Sequence, residues 1–294
     1  MTHLTKLNTS RLSVIEDRFC SSQLSSGEVA IVGAGCGELE LLTLKAANRV
    51  QNADALVYDS LVSAEILTLA TPECERHFVG KRCGQSSAKQ DDINALLLKL
   101  ALKGKKVVRL KGGDPHIFGR GAEEAIYLAK HGVKSEFIPG VTAALGCASS
   151  TSIPLTYRGH ARSVTLITGT RMSEPGFEQA AKQWRALLDA ESTLVFYMGK
   201  EQAQAISHGL LSANCKADLP VALVTNGGRR DQIITYASVK DMASKAKTIM
   251  HHGPTLIIVG EVVKIGRALN QMLGTLETQA LETRALDTQA LKLA

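Results

Sequence analysis

Lys111, Gly112, Gly113 and Asp114 follow one another at the end of an apolar run, VVRLKGGDP, and Arg120 and Glu123 come shortly after. Two adjacent glycines leave bare backbone on which a ligand can lie. Asp114 offers oxygens to a hydroxyl or an ammonium group, and Pro115 stiffens the turn. Arg120 and Glu123 are three apart, so on a helix they meet on one face and form an ion pair at the mouth of that turn. The same residues also suit a plain strand-ending turn whose aspartate caps a helix, and on these residues alone both readings stand.

A second glycine set, Gly33, Gly35 and Gly37, separates an apolar run from a helical pattern in VAIVGAGCGELELLTLKAA. A dinucleotide-binding loop needs G-x-G-x-x-G, but here the third glycine arrives one residue early and Glu38 holds its place. Asp59, closing ALVYD, would be the ribose-binding acid in that reading; a tight strand-to-helix turn is the plainer one. The small residues from Thr142 to Ser152 leave room for a ligand or for close helix packing. Arg158, His160 and Arg162 then cluster before a strand, either as a carboxylate-binding rim or as a solvated loop.

The elements that must position these residues are read from short Val/Ile/Leu runs bounded by Gly and Asp: 29–33, 55–59, 106–111, 163–169, 192–199, 220–226 and 255–260. Runs of this kind suit strands buried on both faces, and the helical patterns between them predict α/β sheets covered by helices. Pro139-Gly140 and the small residues after it mark a break, giving one domain at 27–138 and another at 141–268. Residues 1–26 are polar and Ser-rich and read as a mobile arm. In 275–294, Leu276, Leu281, Leu286 and Leu291 recur every five residues, which winds them around a helix and gives no stripe; this tail reads as low-complexity.

The composition, 45% hydrophobic and 21% charged over 294 residues, is that of a globular protein. No apolar run approaches the roughly 18 residues of a membrane span. The N-terminus also lacks the apolar middle of a signal peptide, so the sequence implies a cytoplasmic protein with no membrane partner. The six cysteines are scattered, without CxxC or a Cys/His cluster at zinc spacing, which implies reduced thiols and no metal. The net charge of +6 lies on the core between the arms and admits nucleic acid, an anionic membrane or a polyanionic small molecule. Only 4% of residues are aromatic and no basic run is interleaved with them, which argues against nucleic acid, since single strands need stacking platforms.

Taken in order, VGAGCGELELLTLKA, VYDSLV, GKRCGQSSAKQDDIN, VVRLKGGDPHIFGRGAEEA, PGVTAALG, IPLTYRGHARSVTLITG, YMGK, PVALVTNGGRRDQ and GPTLIIVGEVV resemble the motifs of uroporphyrinogen-III C-methyltransferases, in the tetrapyrrole methylase family, from about residue 28 to 266. The resemblance implies the tetrapyrrole methylase fold, two α/β domains with S-adenosylmethionine in an interdomain cleft, in a homodimer. It also implies methylation of uroporphyrinogen III at C2 and C7 to precorrin-2, on the way to siroheme, cobalamin or heme d1. Carried over by position, the cofactor contacts are Cys36, Gly112, Gly113, Asp114, Thr142, Ala143, Met198, Gly227 and Thr255. One loop departs from the family pattern: Cys36 and Leu39 stand where prolines are usual and Glu38 where an aspartate is, so this loop is less stiff.

The implied substrate carries eight carboxylates, which accounts for a basic cleft; Lys111, Arg158 and His160 are the expected carboxylate binders, with Arg229 and Arg230 behind them. Methyl transfer from a sulfonium needs placement and no metal. A proton must leave the macrocycle. The resemblance makes Arg120 a participant, but a guanidinium with a pKa above about 12 is a poor base, so Arg120 is expected to orient and stabilise charge while Glu123 or Asp59 takes the proton. With no sequence left for a dehydrogenase or chelatase, the chain reads as monofunctional.

Overall fold

The computed structural model describes residues 23–80, 89–170, 181–250 and 253–275, with side chains from 184 onward in the third stretch. Most of the expected N-terminal arm and tail, and the segment KRCGQSSA, lie outside them. The chain divides into two compact units, Met1–Thr142 and Ala143–Ala294.

The first unit is built on a five-stranded sheet in the order β3-β2-β4-β1-β5, with β1 at Val29–Gly33, β2 at Ala55–Tyr58, β3 at Glu75–Phe78, β4 at Val107–Lys111 and β5 at Ser135–Ile138. Every pairing is parallel. A parallel sheet needs helical crossovers, so both faces are covered and the central strands read as unbroken apolar runs. Because side chains alternate along a strand, the two faces divide cleanly. Ala30, Val32, Leu56, Val108 and Leu110 pack with Ala46 and Val50 of the helix Leu44–Gln51. Val29, Ile31, Ala55, Val57 and Val107 pack with Ile93 and Leu97 of the helix Gln90–Leu102 and with Leu128 of the helix Gly121–Lys130. Thr43 starts the first of these helices by accepting from the Ala46 amide at 3.2 Å, which satisfies one of the free donors of the opening turn.

The second unit holds a mixed sheet in the order β6-β7-β10-β8-β9, formed by Ser163–Thr168, Ser192–Tyr197, Thr255–Val259, Pro220–Thr225 and Ile233–Ser238. Here β10 runs antiparallel to both neighbours. One face packs on the helices Ala203–Ser212 and Met242–Thr248, the other on the helix Ala143–Thr151 and on Val262 and Val263 of the helix at 262–275.

Two boundaries differ from the sequence reading. Leu24, inside the expected arm, is buried in the first core, and the Ser25 amide donates to Glu28 at 3.0 Å, so order begins before residue 27. The division into units falls after Thr142, because the chain stays with the first sheet through Gly140, whose amide is tied to Asp114. Among the described residues no helix is long and apolar enough to cross a membrane.

Candidate active site

In a parallel sheet all strands end on one edge, and the loops there form the usual place for a ligand. At this edge of the first sheet three glycine loops lock together. Ala34 donates to the Lys111 carbonyl at 2.8 Å, and Gly35 and Gly113 exchange both backbone bonds, at 3.2 and 2.6 Å. Gly35 and Gly113 sit at φ 70° and 72°, where a side chain is strained. A Cβ on Gly33 would come within 2.5 Å of the Gly140 amide nitrogen, and one on Gly140 would strike the Gly113 carbonyl. Asp114 cements the junction: one carboxylate oxygen accepts from the His116 amide at 2.8 Å and the other from Gly140 at 3.1 Å. Gly112 is bare for another reason, since Leu61 takes the space that a side chain would need.

Cys36, Gly112, Gly113 and Asp114 are thus brought together, each half-buried. Asp59 belongs to the same edge: its loop carries Leu61 onto Gly112. Its own carboxylate accepts from the Leu61 amide at 3.0 Å and lies 3.5 Å from Arg109 Nη2.

Arg120 and Glu123 form the expected pair, Nε to Oε1 at 2.9 Å and Nη2 to Oε2 at 2.6 Å, with both side chains about half exposed. Arg120 caps its helix with φ 58°. The hydrogen bond from Arg120 holds the Glu123 carboxyl below the usual carboxylate range and raises the guanidinium in turn.

Lys111 lies elsewhere than expected. Strand alternation turns it inward with Arg109, and its ammonium contacts the fully buried Glu124 at 2.8 Å; burial pushes its pKa down. It belongs to an internal network and not to an exposed rim. Arg109 and Glu124 escaped the sequence reading, although a charge between buried Val108 and Leu110 is itself a signal, because such a charge requires a buried counter-charge.

In the second unit β7 and β8 both run antiparallel to β10, so they end together where β10 begins. Met198, Gly227 and Thr255 therefore gather at one edge of that sheet. Met198 is exposed, at φ 54°, and its sulfur accepts from Thr170 Oγ1 at 3.5 Å. Gly227 lies directly on Cys147, where any Cβ would collide with the thiol. Gln232 fixes its loop by accepting from the Gly228 amide at 2.8 Å and from Ser150 at 2.6 Å. Thr255 is buried against Thr225, Oγ1 to Oγ1 at 3.0 Å, and Tyr197 Oη accepts from the Ala144 amide at 3.0 Å, next to Thr142 and Ala143.

Arg158 and His160 are exposed on a tight hairpin closed by Tyr157 and Ala161. That hairpin enters β6 at the end where β7 starts, the opposite edge from Met198. Arg162 lies 3.6 Å from Glu191. Cys36, Cys74, Cys147 and Cys215 are free thiols, and no group of His, Cys, Asp and Glu among the described residues is arranged to hold a metal.

Two α/β units, each gathering glycine-rich loops at a strand-end edge, define a fold that comparison identifies. Residues 28–243 match the model of the Tetrapyrrole (Corrin/Porphyrin) Methylases, and the chain belongs to that family. It is 46% identical over 256 residues to Siroheme synthase 2 of Serratia proteamaculans and 44% identical to Siroheme synthase 2 of Yersinia enterocolitica, covering 87% of this chain and 53% of each relative. The chain thus spans about half the length of these curated relatives. Among solved structures it is similar to a uroporphyrin-III C-methyltransferase of Thermus thermophilus in complex with S-adenosylhomocysteine. That structure is 36% identical with a TM-score of 0.67, and the match covers 81% of this chain and 99% of that one. A cobalt precorrin-4 methyltransferase is 26% identical with a TM-score of 0.70, over 80% of this chain and 95% of that one.

Proposed function

We propose that the chain is an S-adenosylmethionine-dependent C-methyltransferase that methylates uroporphyrinogen III at C2 and C7 to give precorrin-2, for siroheme, cobalamin or heme d1 synthesis. The observation that carries this reading is the locked junction of Gly33, Gly35, Gly113 and Gly140 at the edge of the first sheet, in a chain 36% identical to an enzyme solved with S-adenosylhomocysteine. The residues fit such a group: Cys36, Gly112, Gly113 and Asp114 are half-buried at one edge, and the two glycines present no side chain to an amphipathic nucleoside approaching there. Thr142, at the end of the first unit, and Ala143, Met198, Gly227 and Thr255 of the second are the remaining proposed contacts.

Bound S-adenosylmethionine supplies a methyl on a sulfonium, which leaves as a neutral thioether. The protein's task is placement of the pyrrole carbon about 3–3.5 Å from that methyl, in line with the sulfur. Arg120 orients the macrocycle's carboxylates and stabilises charge, and Asp59 or Glu123 accepts the proton that leaves a bridging carbon of the macrocycle once the ring carbon has taken the methyl. Arg158 and His160 bind further carboxylates as exposed cations. The reading includes a cytoplasmic homodimer that works without a metal; light scattering and metal analysis of the active protein test those parts.

The decisive experiment is anaerobic incubation of the purified chain with uroporphyrinogen III and S-adenosylmethionine, followed by mass spectrometry. A doubly methylated tetrapyrrole is expected. Its absence from a preparation that binds S-adenosylhomocysteine overturns the reading.

A further inference from the structure

Beneath the loops of the first unit lies a charged network of which the proposed chemistry uses Asp59 alone. Arg109 and Lys111 project from the same face of β4 toward Glu124, in the first turn of the helix Gly121–Lys130. All three are buried, Glu124 completely. A single oxygen of Glu124, Oε1, accepts from Lys111 Nζ at 2.8 Å, from Arg109 Nε at 3.2 Å and from Gln90 Nε2 at 3.2 Å. The other oxygen has no hydrogen-bond partner among the described residues. Arg109 completes its fork with the carbonyls of Leu110, at 2.6 Å, and Val57, at 3.4 Å, and turns Nη2 to Asp59.

Such a cluster is a poor device for stability. Buried ions lose hydration, and well-packed apolar residues usually match or exceed them, the more so when one carboxylate oxygen is left unsatisfied. The network has a different consequence: two cations and two anions are balanced, and the outermost member, Asp59, stands at the loop edge beside Gly112 and Leu61. Without the charge of Glu124, Asp59 would be the sole counter-ion for two buried cations and would be drawn inward. Without Lys111, Arg109 would face two carboxylates.

We infer that Glu124 is a positioning residue for the proton acceptor: through Arg109, and by neutralising Lys111, it holds Asp59 at the loop edge where the tetrapyrrole must present its proton. This rests on the proposed methyl transfer. Glu124 also bridges the two arms of the site, since the amides of Glu123 and Glu124 both donate to the Arg120 carbonyl in the turn that Glu124 anchors to β4.

The test is a charge-balance cycle in the full chain: parent, Glu124→Gln, Lys111→Met and the double variant. The readouts are kcat per S-adenosylhomocysteine-binding site, counted by calorimetry, and KM for uroporphyrinogen III. Each single variant unbalances the network and should lose about tenfold or more in kcat per site with KM nearly unchanged. The double variant should regain at least about fivefold over either, the scale of coupling between residues in one network. A purely structural role would lower the number of binding sites and leave kcat per site alone, and that outcome overturns the inference, as does a double variant that loses the product of the two single losses. Should Glu124→Gln fail to fold, the double variant measured against Lys111→Met decides in the same way. A parent that makes no methylated tetrapyrrole defeats the underlying reading; a parent that turns over with an additive cycle defeats only this inference.

Discussion

Arg120 and Glu123 hold each other so closely that each limits what the other can do. A carboxylate bound by both arms of a guanidinium is held ionised and is correspondingly a weak base, so the proton acceptor of the proposed reaction is better sought in Asp59. Asp59→Asn is therefore expected to lower kcat further than Glu123→Gln, both measured in variants with parental affinity for S-adenosylhomocysteine. The reverse order would return the role to Glu123. Arg120→Lys keeps the charge but loses the fork and should lower kcat by about 10²-fold, the scale of one positioned catalytic group; full activity would remove Arg120 from the mechanism. At this scale the sequence was legible where spacing alone decides contact, as for Arg120 and Glu123 three apart on a helix. It was not legible for Lys111, because strand alternation relative to a buried partner, Glu124, determines whether a lysine faces solvent.

The elements follow the same logic. β1, β2, β4, β7, β8 and β10 appear in the sequence as apolar runs because neighbours and helices cover them; of the four edge strands only β6 keeps a readable run, SVTLIT, whereas polar residues interrupt β3, β5 and β9. In β5 the break is Glu136, which binds Lys45 at 2.8 Å and also Arg49, both on the helix Leu44–Gln51. Burial raises the Glu136 pKa, but the two cations outweigh it and leave the carboxyl below its usual range. A depressed carboxylate stabilises the fold above its unfolded pKa, near about 4.3, and that contribution is lost as pH falls through the folded value. Calorimetry should show Glu136→Gln melting below the parent at neutral pH, with the gap closing in acid; a constant gap would mean that packing alone is involved. The glycine junction gives a second prediction. Gly140→Ala forces a methyl into the Gly113 carbonyl and should cost about 1–3 kcal/mol with loss of S-adenosylhomocysteine binding. Gly132→Ala, at φ 75° in open space, should cost about 1–2 kcal/mol from backbone strain alone and leave binding intact. Equal effects on binding would show that the junction does not shape the cofactor site.

For the molecule as a whole, the ordered motifs made the family and its paired α/β sheets readable from the sequence. The mixed direction of the second sheet was not, since an apolar run buried on both faces looks the same whichever way its neighbour points. Net charge is also a property at this scale. An excess of +6 would act on the proposed substrate, with its eight carboxylates, far more than on zwitterionic S-adenosylhomocysteine, and salt screens such attraction over about 10 Å at 0.1 M. KM for uroporphyrinogen III should thus rise steadily with ionic strength while the calorimetric Kd for S-adenosylhomocysteine stays nearly constant. Arg158 is exposed at the far edge of the second sheet from Met198, so Arg158→Ala should raise KM about three- to tenfold, flatten its salt dependence and spare the cofactor, as expected for one charge-assisted contact of about 1 kcal/mol. A salt-independent KM would show that the substrate is held by shape and not by charge. Parallel losses for substrate and cofactor in Arg158→Ala would show that the hairpin supports the fold of the second unit.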